Sequence, residues 1–104
     1  MILVRIYDAE FASSTNRNHP SHIARYWWKA GNQQGIWTRE QAHDYVDAHR
    51  NTVYVSEAGK AVYCIPYHHT NNPSSRWIQT RADGTTEDNL VTLAKRHAAG
   101  LVNA

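Results

Sequence analysis

ARYWWKAG, residues 24–31, sets two tryptophans side by side between Arg25 and Lys29. Its aromatic content and the glycines that follow favour a strand over a helix. Successive side chains of a strand point to opposite faces, so Trp27 and Trp28 part company. With Ala24, Tyr26 and Trp28 turned to the core, Arg25, Trp27 and Lys29 look the other way. A small domain needs only one of the two indoles inside. The other is either covered by the 8–21 loop or the C-terminal helix, or held out as a contact anchor.

Upstream, ILVRIY (2–7) alternates as a strand, with Ile2, Val4 and Ile6 on one face and Leu3, Arg5 and Tyr7 on the other. Residues 8–21, rich in Ser and Asn, read as a loop, and loops of that length are commonly functional. Downstream, AGNQQG (30–35) turns the chain. WTREQAHDYVDAHRN (37–51) then carries a helix from 38 to 50. Thr38 and Gln41 make a capping box, with Trp37 and Ala42 placed for a hydrophobic staple. Ala42, Tyr45, Val46 and His49 form its apolar stripe, and Asn51 is a left-handed stop.

TVYVS (52–56) and AVYCIPYH (61–68) flank a glycine turn, and Pro66 marks an edge or an end of the second strand. Residues 69–75 read as a loop and RWIQTR (76–81) as a fifth strand. A last helix spans 86–99, capped by Thr85, with Leu90, Leu93, Ala94 and His97 on its stripe. The order is ββαβββα. That describes a single α+β domain over residues 1–104, with about five mostly antiparallel strands.

At 104 residues the chain is one domain, with 41% hydrophobic residues to build a core. A single cysteine, Cys64, excludes an internal disulfide or a cysteine zinc site and points to a reducing, cytoplasmic setting. No stretch approaches the ~20 apolar residues of a membrane span. Net charge is +2, thin for a nucleic-acid binder. The cations are mostly arginine, and arginine stacks and pairs better than lysine.

TRADGTTEDNLVTL (80–93) resembles the C-terminal signature of a family of small bacterial and phage proteins known as a domain of unknown function. Their pattern is a strand ending in threonine, an Asp-Gly turn, Asp-Asn-Leu and a further leucine; Thr80, Asp83, Asp88, Asn89, Leu90 and Leu93 carry it here. The Trp37-Thr38 helix start fits the family's middle section, and the resemblance covers about residues 20 to 94. Ala94 stands where the family usually has proline, and 8–21 reads as an insertion. The resemblance implies a phage or mobile-element origin, one compact domain and no assigned catalytic residues.

The chemistry-bearing residues converge best on one sheet face. Arg5, Tyr7, Arg25, Trp27, Lys29, Trp77 and Arg81 share the side opposite the core if the strands alternate as read. Such aromatics interleaved with cations suit a protein interface, where Trp, Tyr and Arg are the usual anchors. The same set suits a single-stranded nucleic acid, whose bases stack on rings while cations track phosphate. A host protein is the expected partner, with nucleic acid second; an uncovered face also allows a homodimer. Salt dependence separates protein from nucleic acid.

His19 and His22 with His68 and His69, or His43 with Asp47 on the helix, have spacings that can hold a metal, but ordinary surface roles account for both sets. His49 and His97 read as satisfied core histidines. Cys64 lies mid-strand among apolar neighbours, where a thiol is inert. Asp88 is a helix cap rather than an acid or base. The expectation is a binding protein, not an enzyme, with no cofactor and no metal.

Overall fold

A computed structural model describes residues 2–12, 19–57, 59–81 and 88–101. The order of elements is β1 (Val4–Phe11), β2 (Ile23–Ala30), β3 (Gln33–Thr38), α1 (Arg39–Ala48), β4 (Val53–Glu57), β5 (Lys60–His69), β6 (Asn72–Thr80) and α2 (Asn89–Ala98). The α+β domain expected from the sequence is present, with six strands where five were read. They lie in the order β3-β2-β1-β4-β5-β6, and all neighbours are antiparallel except β1 and β4.

The added strand is β3, which takes in Gln33–Gly35 of the stretch read as a turn and runs on to Thr38. Gly31 has φ 58° at the first of two loop positions, the conformation a tight hairpin needs. Residues 33–38 therefore return along β2, pairing Ala30 with Gln33 and Arg25 with Thr38. Trp37 consequently sits near the end of a strand, its ring 4.7 Å from that of Tyr45. β6 likewise starts at Asn72, inside the stretch read as a loop.

β1 runs four residues further than its alternation suggested. Ile6 faces Trp28 but Asp8 faces Trp27, a one-residue register shift that leaves both Tyr7 and Asp8 off the buried face. Ala9 and Phe11 then return to the core. The expected 8–21 loop thus begins only after Phe11. Residues 13–18 lie outside those described, and Pro20–His22 form a single 3-10 turn leading into β2.

The core is continuous across the sheet: Val4, Ile6, Ile23, Tyr26, Val53, Val55, Cys64 and Ile78 bury against Ala42 and Val46 of α1 and Leu90, Val91, Leu93 and Ala94 of α2. Trp28 packs against this core half-buried, its ring stacked on Trp37 at 5.3 Å. Ile2, expected inside, is 70% exposed because β1 starts after it. Pro66 stands within β5 opposite Ile78, while pairing of β5 with β4 ends at Tyr63. The missing proline N–H therefore faces the side where the ladder has already stopped.

α1 begins as read, with the Thr38–Gln41 capping box in place, and Asn51 takes φ 64° after it. It lies against β2 and β3 on one side and β5 and β6 on the other, where Arg76 grips Asp44 with two bonds of 2.8 and 2.9 Å. His49 is exposed, contrary to expectation. The helix ends at Ala48, so His49 is its C-cap, stacked on Tyr45. α2 starts at Asn89 with Asp88 as N-cap; the Thr85 cap lies outside the described residues. Asp88 accepts from the N–H of Leu90 and of Thr80, each at 2.9 Å, tying α2 to the end of β6.

β1 and β4 pair only through Val4–Arg5 and Val53–Tyr54. α2 packs chiefly along β1. That placement brings the last turn of α2 to the face carried by Asp8, Glu10, Arg25 and Trp27.

Candidate binding face

The sheet face opposite the core gathers Arg5, Tyr7, Arg25, Trp27 and Lys29 on the adjacent strands β1 and β2. The other two expected members are elsewhere. Trp77 and Arg81 belong to β6 and the residue after it, four strand positions from β2. At ~4.8 Å per strand that is about 19 Å along the sheet. Trp77 stacks on Tyr67 at 6.4 Å, meets His19 edge-on at 6.1 Å and donates to Gln79. Arg81 donates to the Asn51 side chain. The expected single face is two clusters, because β1 pairs with β4 rather than with β6.

Within the β1–β2 cluster the aromatics and cations are already engaged. Lys29 Nζ sits 4.5 Å from the centre of the Tyr7 ring, a cation–π contact. Arg25 reaches Glu10 at 2.9 Å. Of the two alternatives read from the sequence, cover is met in part: the C-terminal helix lies over one side of Trp27, which stays half-buried rather than enclosed. The imidazole of His97 lies over the indole at 5.2 Å, with 25° between the planes.

His97 is no core histidine. Its Nδ1 is 3.1 Å from Asp8 Oδ2 and its Nε2 is 3.2 Å from Glu10 Oε2. Carboxylates accept, so only the doubly protonated ring can donate to both. The bond to Asp8, and with it the bond to Glu10, holds the imidazole above its ordinary value of 6.5, against a smaller opposing effect of burial. The result is a small knot that places the imidazole, when protonated, between two carboxylates, one of which also binds Arg25.

Neither Asp8, Glu10 nor His97 stood out in the sequence as a member of this face. The signal was there in part. Asp8 and Glu10 are two apart, as on one side of a strand, but the register shift at Tyr7 hid that the strand continued. Beside the knot, Glu10, Phe11, Ala12, Ala24, Arg25 and His97 line an open hollow of about 560 Å³. Its charged rim carries both signs.

The histidine and cysteine expectations fall out separately. His43 bonds Asp44 at 2.9 Å and Asp47 bonds Arg50 at 2.8 Å, so the i, i+4 pair is not joined. His19 and His22 approach at 6.1 Å, while the His68 ring turns to the carbonyl of His69. Among the described residues no three His, Cys, Asp or Glu side chains are arranged to hold a metal ion. Cys64 is buried, and burial pushes its thiol well above the ordinary range, with the Asp88 charge adding to it. Among the described residues no helix is long and apolar enough to cross a membrane.

No family model matches the chain, and neither the curated proteins nor the solved structures contain a significant match to it.

Proposed function

We propose that this is a non-enzymatic binding protein that docks another protein through the β1–β2 face, with Trp27 as its central anchor. The observation that carries the reading is the stacking of Trp27 under His97 beside side chains of both charge signs, Arg25 with Asp8 and Glu10, and with Arg5 and Lys29 further along the same two strands. An aromatic held rigid by its neighbours loses little entropy on contact, and mixed charge around it selects a partner of matching pattern. The target is a host macromolecule and the action is its occupation or inhibition in the cytoplasm. The resemblance of residues 80–93 to small phage proteins accords with that role.

The charge arrangement ranks a protein partner above a nucleic acid. Arg25 is already engaged by a carboxylate, and Asp8 and Glu10 place negative charge where a phosphate would track. Trp77, which would lengthen a base-stacking platform, lies on a different part of the sheet.

The test pairs two variants and two kinds of ligand. Trp27→Ala and Arg25→Glu, both shown to be folded, should abolish capture of a protein from host lysate that the wild type retains at physiological salt. Single-stranded RNA and DNA should leave Trp27 fluorescence unchanged. Saturable quenching by the oligonucleotides, fading with salt and lost in Trp27→Ala, would replace this reading with the nucleic-acid one.

A further inference from the structure

The two edges of the sheet differ in how they are guarded. β6 starts with Asn72-Pro73, carries Arg76 tied to Asp44, and has the Pro20–His22 turn packed against it. Prolines, charges and covering segments are the usual means of keeping an edge from pairing. β3, at the other end, has no proline and no charge, and among the described residues no segment packs along its outer edge. QQGIWT contains no charge and no proline, and Ile36 is 52% exposed.

The hairpin decides which backbone groups of β3 face outward. In a two-residue connection the flanking residues exchange both ladder bonds, so Gln33, Gly35 and Trp37 bond back to Ala30, Trp28 and Tyr26. Gln34 and Ile36 point their N–H and C=O away from the sheet. Thr38 also points outward, but its N–H is taken by Gln41 Oε1 at 3.0 Å. Two adjacent outward-facing residues therefore flank Gly35.

That arrangement is complementary to itself. A two-fold axis through Gly35 sets Gln34 of one copy opposite Ile36 of the other, twice over. Each opposed pair exchanges two backbone hydrogen bonds, and the two glycines face each other with no side chain between them. Because β3 is uncharged, two copies of it meet with no like-charge repulsion between the strands. On one face of the join the two Ile36 side chains extend the apolar surface. On the other, a hollow of about 150 Å³ lined by Ile2, Trp28, Ala30, Trp37 and Tyr45 opens beside the strand. We propose that β3 pairs antiparallel with β3 of a second copy of this chain, joining two six-stranded sheets across an isologous dimer interface.

The proposal does not depend on the β1–β2 face, and the experiment separates them. Sedimentation across a wide concentration series is run on the wild type, Ile36→Lys, Gln34→Pro and Trp27→Ala. The Ile36 side chain stands on the face of the sheet and the Gln34 N–H points away from β2, so neither change removes a β2–β3 ladder bond, which circular dichroism checks. The wild type should dimerise, the two edge variants should weaken self-association by ~10-fold or more, and Trp27→Ala should leave it intact. Amide exchange gives an independent reading: Gln34 and Ile36 should gain protection as concentration rises, while Gly35 and Trp37 stay protected throughout. A wild type that is monomeric at every concentration overturns the proposal and leaves the edge to a foreign strand. So does a dimer that survives both edge variants, or one that Trp27→Ala dissolves.

Discussion

His97 lies face to face with Trp27, ring centres 5.2 Å apart, while its two nitrogens bond Asp8 and Glu10. The three residues that hold it come from β1 and β2, so this one side chain ties the last turn of α2 to two strands. Arg25 faces the same knot from β2, and Lys95 and Arg96 lie on the same helical turn as His97. A protonated imidazole over an indole also quenches its emission, so the contact reports on itself.

The first prediction is a pH dependence. The folded-state value of His97 is raised above 6.5, so the stability it contributes is complete below that pH and is lost as pH rises through the raised value. The three side chains are between 23% and 34% exposed, and solvent screening holds the effect to about 1 kcal/mol or less. Trp27 emission should rise over the same interval. Urea midpoints and fluorescence from pH 5 to 9, with His97→Gln as the control, check it; a control that still shows both transitions would sink the assignment.

Tyr26 gives the second. It is fully buried, and its hydroxyl has no hydrogen-bond partner among the described residues. Burial also pushes the phenol far above its ordinary range, so it stays neutral. Tyr26→Phe removes an unsatisfied polar group and keeps the ring, so it should be neutral or stabilising by about 1 kcal/mol. Tyr26→Ala should cost ~3–5 kcal/mol through the cavity it leaves. Chemical denaturation of the two variants side by side decides this.

A third concerns Gly35. A Cβ there would come within 2.9 Å of the Trp28 ring, which is itself stacked on Trp37 and has little room to move. Gly35→Ala should destabilise the domain by about 1–3 kcal/mol, and near-ultraviolet dichroism should show the displaced indole. An unchanged spectrum and midpoint would mean the ring has freedom that its packing does not suggest.

Asp88 supplies the fourth. Its carboxylate caps α2 through Leu90 and also accepts from the Thr80 N–H at the end of β6. Asp88→Ala should lose ~1–2 kcal/mol, and Asp88→Asn less, because the single amide oxygen still accepts one of the two bonds. Thermal melts of both variants provide the comparison, and equal losses would show that the negative charge matters more than the cap.

Some elements were legible because their signals are local. The Thr38–Gln41 capping box is made within one helical turn, and it holds here. Asn51 takes the left-handed conformation its side chain allows, although the helix has already ended at Ala48 and His49 is its C-cap. The alternation of Ile78 and Thr80 against Trp77 and Gln79 is a property of one strand, and it too holds. By contrast the Gln33–Gly35 part of β3 was read as a turn, since glutamines and a glycine say little of strand; its pairing with β2 makes it one. The site was half legible for the same reason. Arg25, Trp27 and Lys29 share a face by strand parity alone, whereas Asp8 and Glu10 required the register shift at Tyr7, and His97 arrived from 87 residues further on.

Thus the sequence alone determined the class of the domain, the N-cap of the first helix and the outward turn of Trp27, all matters of short-range periodicity and local hydrogen bonding. Only the tertiary structure decided which strands became neighbours. That choice separated Trp77 and Arg81 from Trp27, set His97 over its indole and left β3 at an edge. Strand order depends on how the helices cover a shared apolar surface, and no window of the chain contains that surface.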